Sequence, residues 1–198
     1  GSLVTLIIGL LGGITTGVSV LVARYYGAGD EKGLHRLTTA ALLLAAFLSV
    51  LFTLFGVLFS PTYLRLVHTP EHILPMASTY LRVYCLSLPA MVLYNLGLGM
   101  LRGIGDSFRP MLFQIVGGLL NVLFDVVFLI GLRMEAVGAA VGTLFAQSLV
   151  ATAVLLYLLL PRERFVLGRY PMDALSNELR RILSIGAPAG LQAMLITL

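Results

Sequence analysis

Along the chain, long apolar runs alternate with short polar loops. The runs cover roughly residues 3–23, 37–59, 78–101, 111–132, 136–160 and 182–198, the last ending with the sequence. Each complete run has about the 20 residues needed to cross a hydrocarbon core of about 30 Å. Strand-like alternation is absent, and lipid offers no partner for backbone N–H and C=O groups, so the runs predict membrane-spanning α-helices. Pro89 falls inside the third run and predicts a kink there. The first run is too long for a cleavable leader, is rich in glycine (GLLGG) and ends without a small-residue cleavage motif; it reads as a true span. No methionine opens the sequence and an apolar run closes it, as expected of an excerpt from a longer protein.

The only long polar stretch, PRERFVLGRYPMDALSNELRR at 161–181, reads as a linker. Pro161, Gly168 and Pro171 break regular structure, and Asp173 to Arg181 predict a short amphipathic or juxtamembrane helix leading into the final span.

Composition agrees with the pattern: 59% of residues are hydrophobic and 11% charged, against about 25% charged in an ordinary soluble domain. Cations sort the loops. Ten of the thirteen Lys and Arg residues (Arg24, Lys32, Arg36, Arg102, Arg109, Arg162, Arg164, Arg169, Arg180 and Arg181) fall on one side of the alternating spans, with Arg65, Arg82 and Arg133 on the other. Short cytoplasmic loops carry the excess of Lys and Arg, so the loops at 24–36, 102–109 and 161–181 are expected in the cytoplasm of a multi-pass plasma-membrane protein. The net charge of +4 then reflects orientation in a bilayer and needs no nucleic-acid partner. Two of these loops repeat one another, GAGD at 27–30 and GIGD at 103–106, each after a helix ending near an arginine. Glycine ends a helix in the left-handed conformation and Asp caps the next one, so turn chemistry accounts for the echo; a part in a cytoplasmic gate is the alternative.

Asp125 is the sole carboxylate set within an apolar run; Asp30, Glu31, Glu71, Asp106, Glu135, Glu163, Asp173 and Glu178 are expected in loops or at span ends. A charge inside a span costs on the order of 2.5–3.5 kcal/mol and usually faces a bundle interior or a wet cavity. Gln114, Gly118, Asn121 and Asp125 are spaced to share one helix face, with Leu119, Leu123, Val126 and Ile130 opposite. Desolvation favours the protonated carboxyl, whereas a cation or hydrogen-bond donors favour the ionised form. Asp125 can therefore switch between protonated and ionised, or between empty and sodium-bound, or else serve as a structural hydrogen-bonding group.

The fifth run carries a small-xxx-small face, Gly138, Gly142 and Ala146, beside Thr143 and Gln147. Thr143 is a candidate oxygen ligand, although packing alone explains the glycines. Tyr84, Met91, Asn95 and Gly99 recur at helical spacing in the third run, and Met91 and Tyr94 either pack or line a substrate cavity. Cys85, the single cysteine, lies in the same run and permits no intramolecular disulfide. His68 and His72 are separated by Pro70 in a polar loop, so metal binding is not expected there. No Ser-His-Asp order, phosphate loop, zinc-ligand set or dinucleotide fingerprint is convincing, and neither an enzyme nor a bound cofactor is expected.

The sequence resembles the multidrug and toxic compound extrusion family over nearly its whole length. The resemblance rests on VLVARYYGAGDEKG at 20–33, TPE at 69–71 followed by YLRVYCLSLPA at 80–90, LRGIGDSFRPM at 101–111, LNVLFD at 120–125 and VGAAVGT at 137–143. It implies an all-α fold of twelve helices in two six-helix lobes, exporting organic, often cationic, small molecules in exchange for Na⁺ or H⁺, with the bilayer as surroundings and no obligate protein partner. Here it implies helices two to six in residues 1–160, an inter-lobe linker at 161–181 and the start of helix seven at 182–198. It further implies a coupling-ion site at Asn121 and Asp125 on helix five, Thr143 on helix six and Asn95 on helix four, beside a cavity whose candidates are Tyr84, Met91, Tyr94, Gln114 and Gln147.

Two departures bear on that site. The partner acid that many relatives carry on helix one is not in this sequence, and residues 182–198 lack the helix-seven glutamate of one branch, which leaves coupling to the amino-terminal lobe. Alternating access then uses Pro89 and Pro188 as candidate bending points. A flippase of the same superfamily, moving a lipid-linked sugar or other amphiphile, is the nearest alternative; a non-transporting scaffold or receptor is another. A flippase would favour a larger cavity with several cations, which the spans lack.

Overall fold

The computed structural model describes residues 2–134, 136–160 and 165–197, with the side chains of 2–8, 10, 194, 196 and 197 left aside. Glu135, Pro161, Arg162, Glu163 and Arg164, each given a place in the sequence reading, lie outside the described residues. All regular structure among the described residues is helical: α1 (Ser2–Gly27), α2 (Glu31–Leu66), α3 (Leu74–Leu86), α4 (Leu88–Gly103), α5 (Phe108–Asp125), a π-helical segment (Val126–Gly131), α6 (Ala136–Leu158) and α7 (Met172–Thr197). Among the described residues, four stretches are long and apolar enough to cross a membrane: Glu31–Leu66, Leu74–Gly103, Phe108–Gly131 and Ala136–Leu158.

The repeated hairpins are the same turn built twice. Asp30 N donates to Tyr25 O and Gly29 N to Tyr26 O, while Asp106 N donates to Leu101 O and Gly105 N to Arg102 O. This is the Schellman pattern, and Gly29 and Gly105 occupy its left-handed position at φ +68° and +85°. Each aspartate then caps the next helix: Asp30 Oδ1 accepts from Gly33 N at 2.9 Å, and Asp106 Oδ1 accepts from Phe108 N and Arg109 N at 3.1 Å.

The third apolar run divides at Ser87 into α3 and α4, two residues before Pro89. Pro89 has no N–H to give the carbonyl four residues back, which belongs to Cys85. Thr53 Oγ1 on α2 donates to that carbonyl instead, at 3.1 Å. The second run extends beyond its expected end to Leu66 and contains Pro61; the Val57 carbonyl left over there accepts from Ser60 Oγ at 3.4 Å.

Two features of this segment go beyond the expectations. The helix expected at 173–181 is continuous with the final run, since α7 spans Met172 to Thr197. Glu178, expected in a loop or at a span end, lies within α7 and is 2% exposed. Leu175, Glu178 and Ile182 are spaced three and four apart, which puts all three on the face of α7 that packs inward.

The centre of the bundle is formed by Val18 and Val22 of α1, Leu34 and Leu37 of α2, Leu98 and Leu101 of α4, Val154 of α6 and Ile182 of α7, all essentially inaccessible. α7 lies along α1 through glycines. A side chain on Gly13 would overlap Gly186 O and Gly190 N, and a Cβ on Gly17 would stand 2.8 Å from Ile182 O. Away from this core the helices expose aliphatic and aromatic side chains, such as Phe47 and Leu58 of α2 and Leu119 and Ile130 of the fourth run, the surface expected against lipid or further helices.

Candidate functional site

Polar side chains from α3, α4, α5 and α6 meet around a cavity of about 450 Å³. Tyr84 enters from α3, Tyr94 from α4, Gln114 and Asn121 from α5, and Thr143 and Gln147 from α6, with Gly117 and Gly118 leaving the α5 wall open. The one-face spacing of Gln114, Gly118 and Asn121 produces this wall. On the opposite side of the same helix, Leu119 and Leu123 are exposed.

No residue lining the cavity carries a formal charge; the wall offers two phenols, three side-chain amides and one hydroxyl. It recognises a solute through hydrogen bonds and ring faces. The α5 and α6 walls are tied together where Asn121 Nδ2 donates to Thr143 Oγ1 at 3.3 Å, while the Thr143 hydroxyl donates to Ala139 O at 3.0 Å. The bond spends one amide N–H of Asn121 and turns that side chain toward α6.

Asp125 stands one helical turn beyond Asn121, at the junction where α5 becomes a π-helix. Within Phe108–Gly131 it lies about 25 Å from the first residue and about 9 Å from the last, at about 1.5 Å per residue. The carboxylate is thus in the final third of its span. Its Oδ1 is buried and has no hydrogen-bond partner among the described residues. That atom packs against α6 at Gly142, where a Cβ would stand 2.5 Å away.

Phe124, Phe128 and Phe145 form a ring cluster between α5, the π-helical segment and α6, with centroids 5.6–6.0 Å apart. The π-helix changes the register at this point: Leu132 N donates to Val127 O and Met134 N to Phe128 O, in place of a four-residue ladder. Short π-helical segments are rare and are frequent at functional sites. Asp125 Oδ1, the Asn121 amide carbonyl and the Thr143 hydroxyl are oxygen donors of the kind a hard monovalent cation takes; a proton would satisfy the orphaned oxygen equally.

Two of the sequence candidates fall outside this arrangement. Asn95 Nδ2 donates to Met91 O within α4 at 2.8 Å, and neither Asn95 nor Met91 lines the cavity. Among the described residues no group of three His, Cys, Asp or Glu side chains could hold a metal ion. His68 takes the left-handed position at the end of α2, with φ 57°.

A second polar centre, which the sequence reading missed, surrounds Glu178. Tyr25 Oη donates to both carboxylate oxygens at 2.8 and 2.9 Å, Arg181 Nη1 donates to Tyr25 Oη, and Arg36 Nη2 stands 4.0 Å from Glu178 Oε1. The spacing of Glu178 with Leu175 and Ile182 was the available signal; the run of charged neighbours obscured it.

Comparisons place the chain among known membrane proteins. The MatE family profile matches residues 1–127. The probable multidrug resistance protein YpnP of Bacillus subtilis is 30% identical over 99% of this chain, which spans 44% of that relative. A Shewanella oneidensis relative named FAD transporter is 28% identical, with 97% of this chain and 44% of the relative aligned. Among solved structures, the outward-facing conformation of a multidrug resistance MATE family transporter of the MOP superfamily superposes with a TM-score of 0.89 and 28% identity, covering 97% of this chain and 43% of that one. The chain thus spans less than half the length of the curated relatives it matches. With its apolar spans, its order of helices and its match to the family profile over well over half its residues, the chain belongs to the MatE family.

Proposed function

We propose that the full-length protein is a secondary active multidrug efflux transporter, exporting organic and often cationic compounds by antiport with Na⁺ or H⁺, and that Asp125 carries the coupling ion. The observation behind this reading is the buried, unpartnered Oδ1 of Asp125 one turn from the wall of a polar cavity. A carboxylate oxygen without a partner is costly when ionised, and binding a proton or a cation removes that cost. Ion occupancy and cavity shape are then linked through the Asn121–Thr143 bond, because both residues belong to the cavity wall, Asn121 one turn before Asp125 and Thr143 next to Gly142, against which the carboxylate packs. An ion that binds one arrangement of α5 and α6 more tightly than another shifts the population between them.

Relatives named multidrug resistance protein and FAD transporter favour transport of small molecules, and an uncharged lining suits a range of solutes. No Lys or Arg lines the cavity, which weighs against a flippase for anionic lipid-linked sugars. A scaffold or receptor role gives the orphaned carboxylate no task. The experiment is efflux of a fluorescent organic cation by the full-length protein in proteoliposomes under imposed Na⁺ or H⁺ gradients. The wild type responds to one gradient and Asp125→Asn to neither; equal gradient-driven efflux by both would remove Asp125 from the mechanism.

A further inference from the structure

We infer that Glu178 is a conformational latch, which locks the first turns of α7 onto α1 and α2 and whose release lets α7 shift along α1. It is independent of which ion or solute the α3–α6 cavity takes. The carboxylate is 2% exposed and joins three helices at one end of the bundle. From α1, Tyr25 donates to both of its oxygens; from α7, Arg181 bonds Tyr25 and lies 3.6 Å from Glu178 Oε1; from α2, Arg36 approaches to 4.0 Å. Charge-assisted hydrogen bonds of this kind are directional, so they hold α7 in one register.

The rest of the α1–α7 contact is of a different character. At their closest approach Gly13 and Gly17 face Ile182, Gly186 and Gly190 backbone to backbone. Such a surface brings the helices together but opposes sliding or tilting weakly. The polar cluster therefore supplies the register that the glycines do not.

The cluster also has the features of a contact that can be remade. A polar cavity of about 380 Å³ opens beside it, bounded by Arg36, Asp173, Asn177 and Arg181, so water can take over hydrogen bonds when the protein partners separate. The Arg36 Nε is buried without a hydrogen-bond partner among the described residues, and its nearest guanidinium nitrogen stops just beyond hydrogen-bond range of Glu178. A small shift of α7 toward α2 would let Arg36 take the carboxylate directly. Tyr25 on α1 and Arg36 on α2 thus offer the one acid alternative partners in two positions of α7.

The test is hydrogen–deuterium exchange of the full-length protein in lipid nanodiscs, as wild type, Glu178→Gln, Tyr25→Phe and the double variant. Tyr25→Phe keeps the ring and removes only the hydroxyl, so it reads the latch even if Glu178→Gln does not fold. Exchange in peptides from 20–38 and 172–184 is expected to rise on the order of tenfold in each single variant, to rise no further in the double variant, and to stay unchanged in α5 and α6. Wild-type exchange at both segments in a folded single variant would overturn the latch. A uniform rise throughout the protein, or additive effects in the double variant, would do the same.

Discussion

A Cβ on Gly142 would stand 2.5 Å from Oδ1 of Asp125 and 3.2 Å from its backbone nitrogen. The carboxylate reaches its buried position because α6 presents a residue with no side chain at that level. Gly142→Ala therefore pushes the carboxylate aside before it disturbs the fold. We expect a loss of about 1–3 kcal/mol in stability and a loss of ion-driven efflux in the full-length protein. Gly131→Ala, whose Cβ meets nothing within 4 Å, serves as the comparison. Thermal unfolding and gradient-driven efflux measure the two effects, and normal coupling in Gly142→Ala would show that the carboxylate needs no room there.

Thr53 repairs the break at Pro89 by donating to the Cys85 carbonyl. Thr53→Val should cost about 1–3 kcal/mol, the range for a polar group left unsatisfied in a partly buried place. In a Pro89→Ala background, where residue 89 regains its N–H, the same substitution should cost clearly less. A thermodynamic cycle on the four proteins checks this, and equal costs in both backgrounds would mean that the carbonyl finds another partner.

Gly17 and Gly12 share one helix and one residue type but meet different surroundings. Alanine at 17 would place a methyl 2.8 Å from Ile182 O and 3.0 Å from Gly186 N, so α1 and α7 must separate, at a cost of about 1–3 kcal/mol or more. Alanine at 12 meets nothing within 4 Å and should stabilise the helix by up to about 1 kcal/mol. Thermal unfolding of the two variants is expected to shift in opposite directions.

The paired turns offer a symmetric test. Gly29→Ala and Gly105→Ala each force a Cβ into the left-handed region, at about 1–2 kcal/mol. Gly27→Ala, at the end of α1 in an ordinary conformation with open space around it, should be close to neutral. Unfolding midpoints that moved equally for Gly27 and Gly29 would argue against the backbone explanation.

Much of the architecture was legible because the bilayer imposes it. Segments that cannot leave a backbone group unpaired in lipid must be helices of a set length, so runs of apolar residues marked the spans, and Gly29, Gly105, Asp30 and Asp106 marked the turns through local conformation alone. The cavity wall on α5 was readable for the same local reason, since the spacing of Gln114, Gly118 and Asn121 defines one helix face. Its partners on α3, α4 and α6 were nameable as polar residues in apolar runs.

What the sequence determined by itself is therefore what depends on residues a few positions apart: helix type, turn type, and which residues of one helix share a face. Tertiary structure alone decided the rest. The contact of Asp125 with Gly142, the break at Ser87 covered by Thr53, the absence of Met91 and Asn95 from the cavity wall, and the burial of Glu178 against Tyr25 each depend on how far one helix is rotated and shifted against another. That rotation is set by the packing of many side chains and glycine surfaces at once, and no short stretch of sequence contains it.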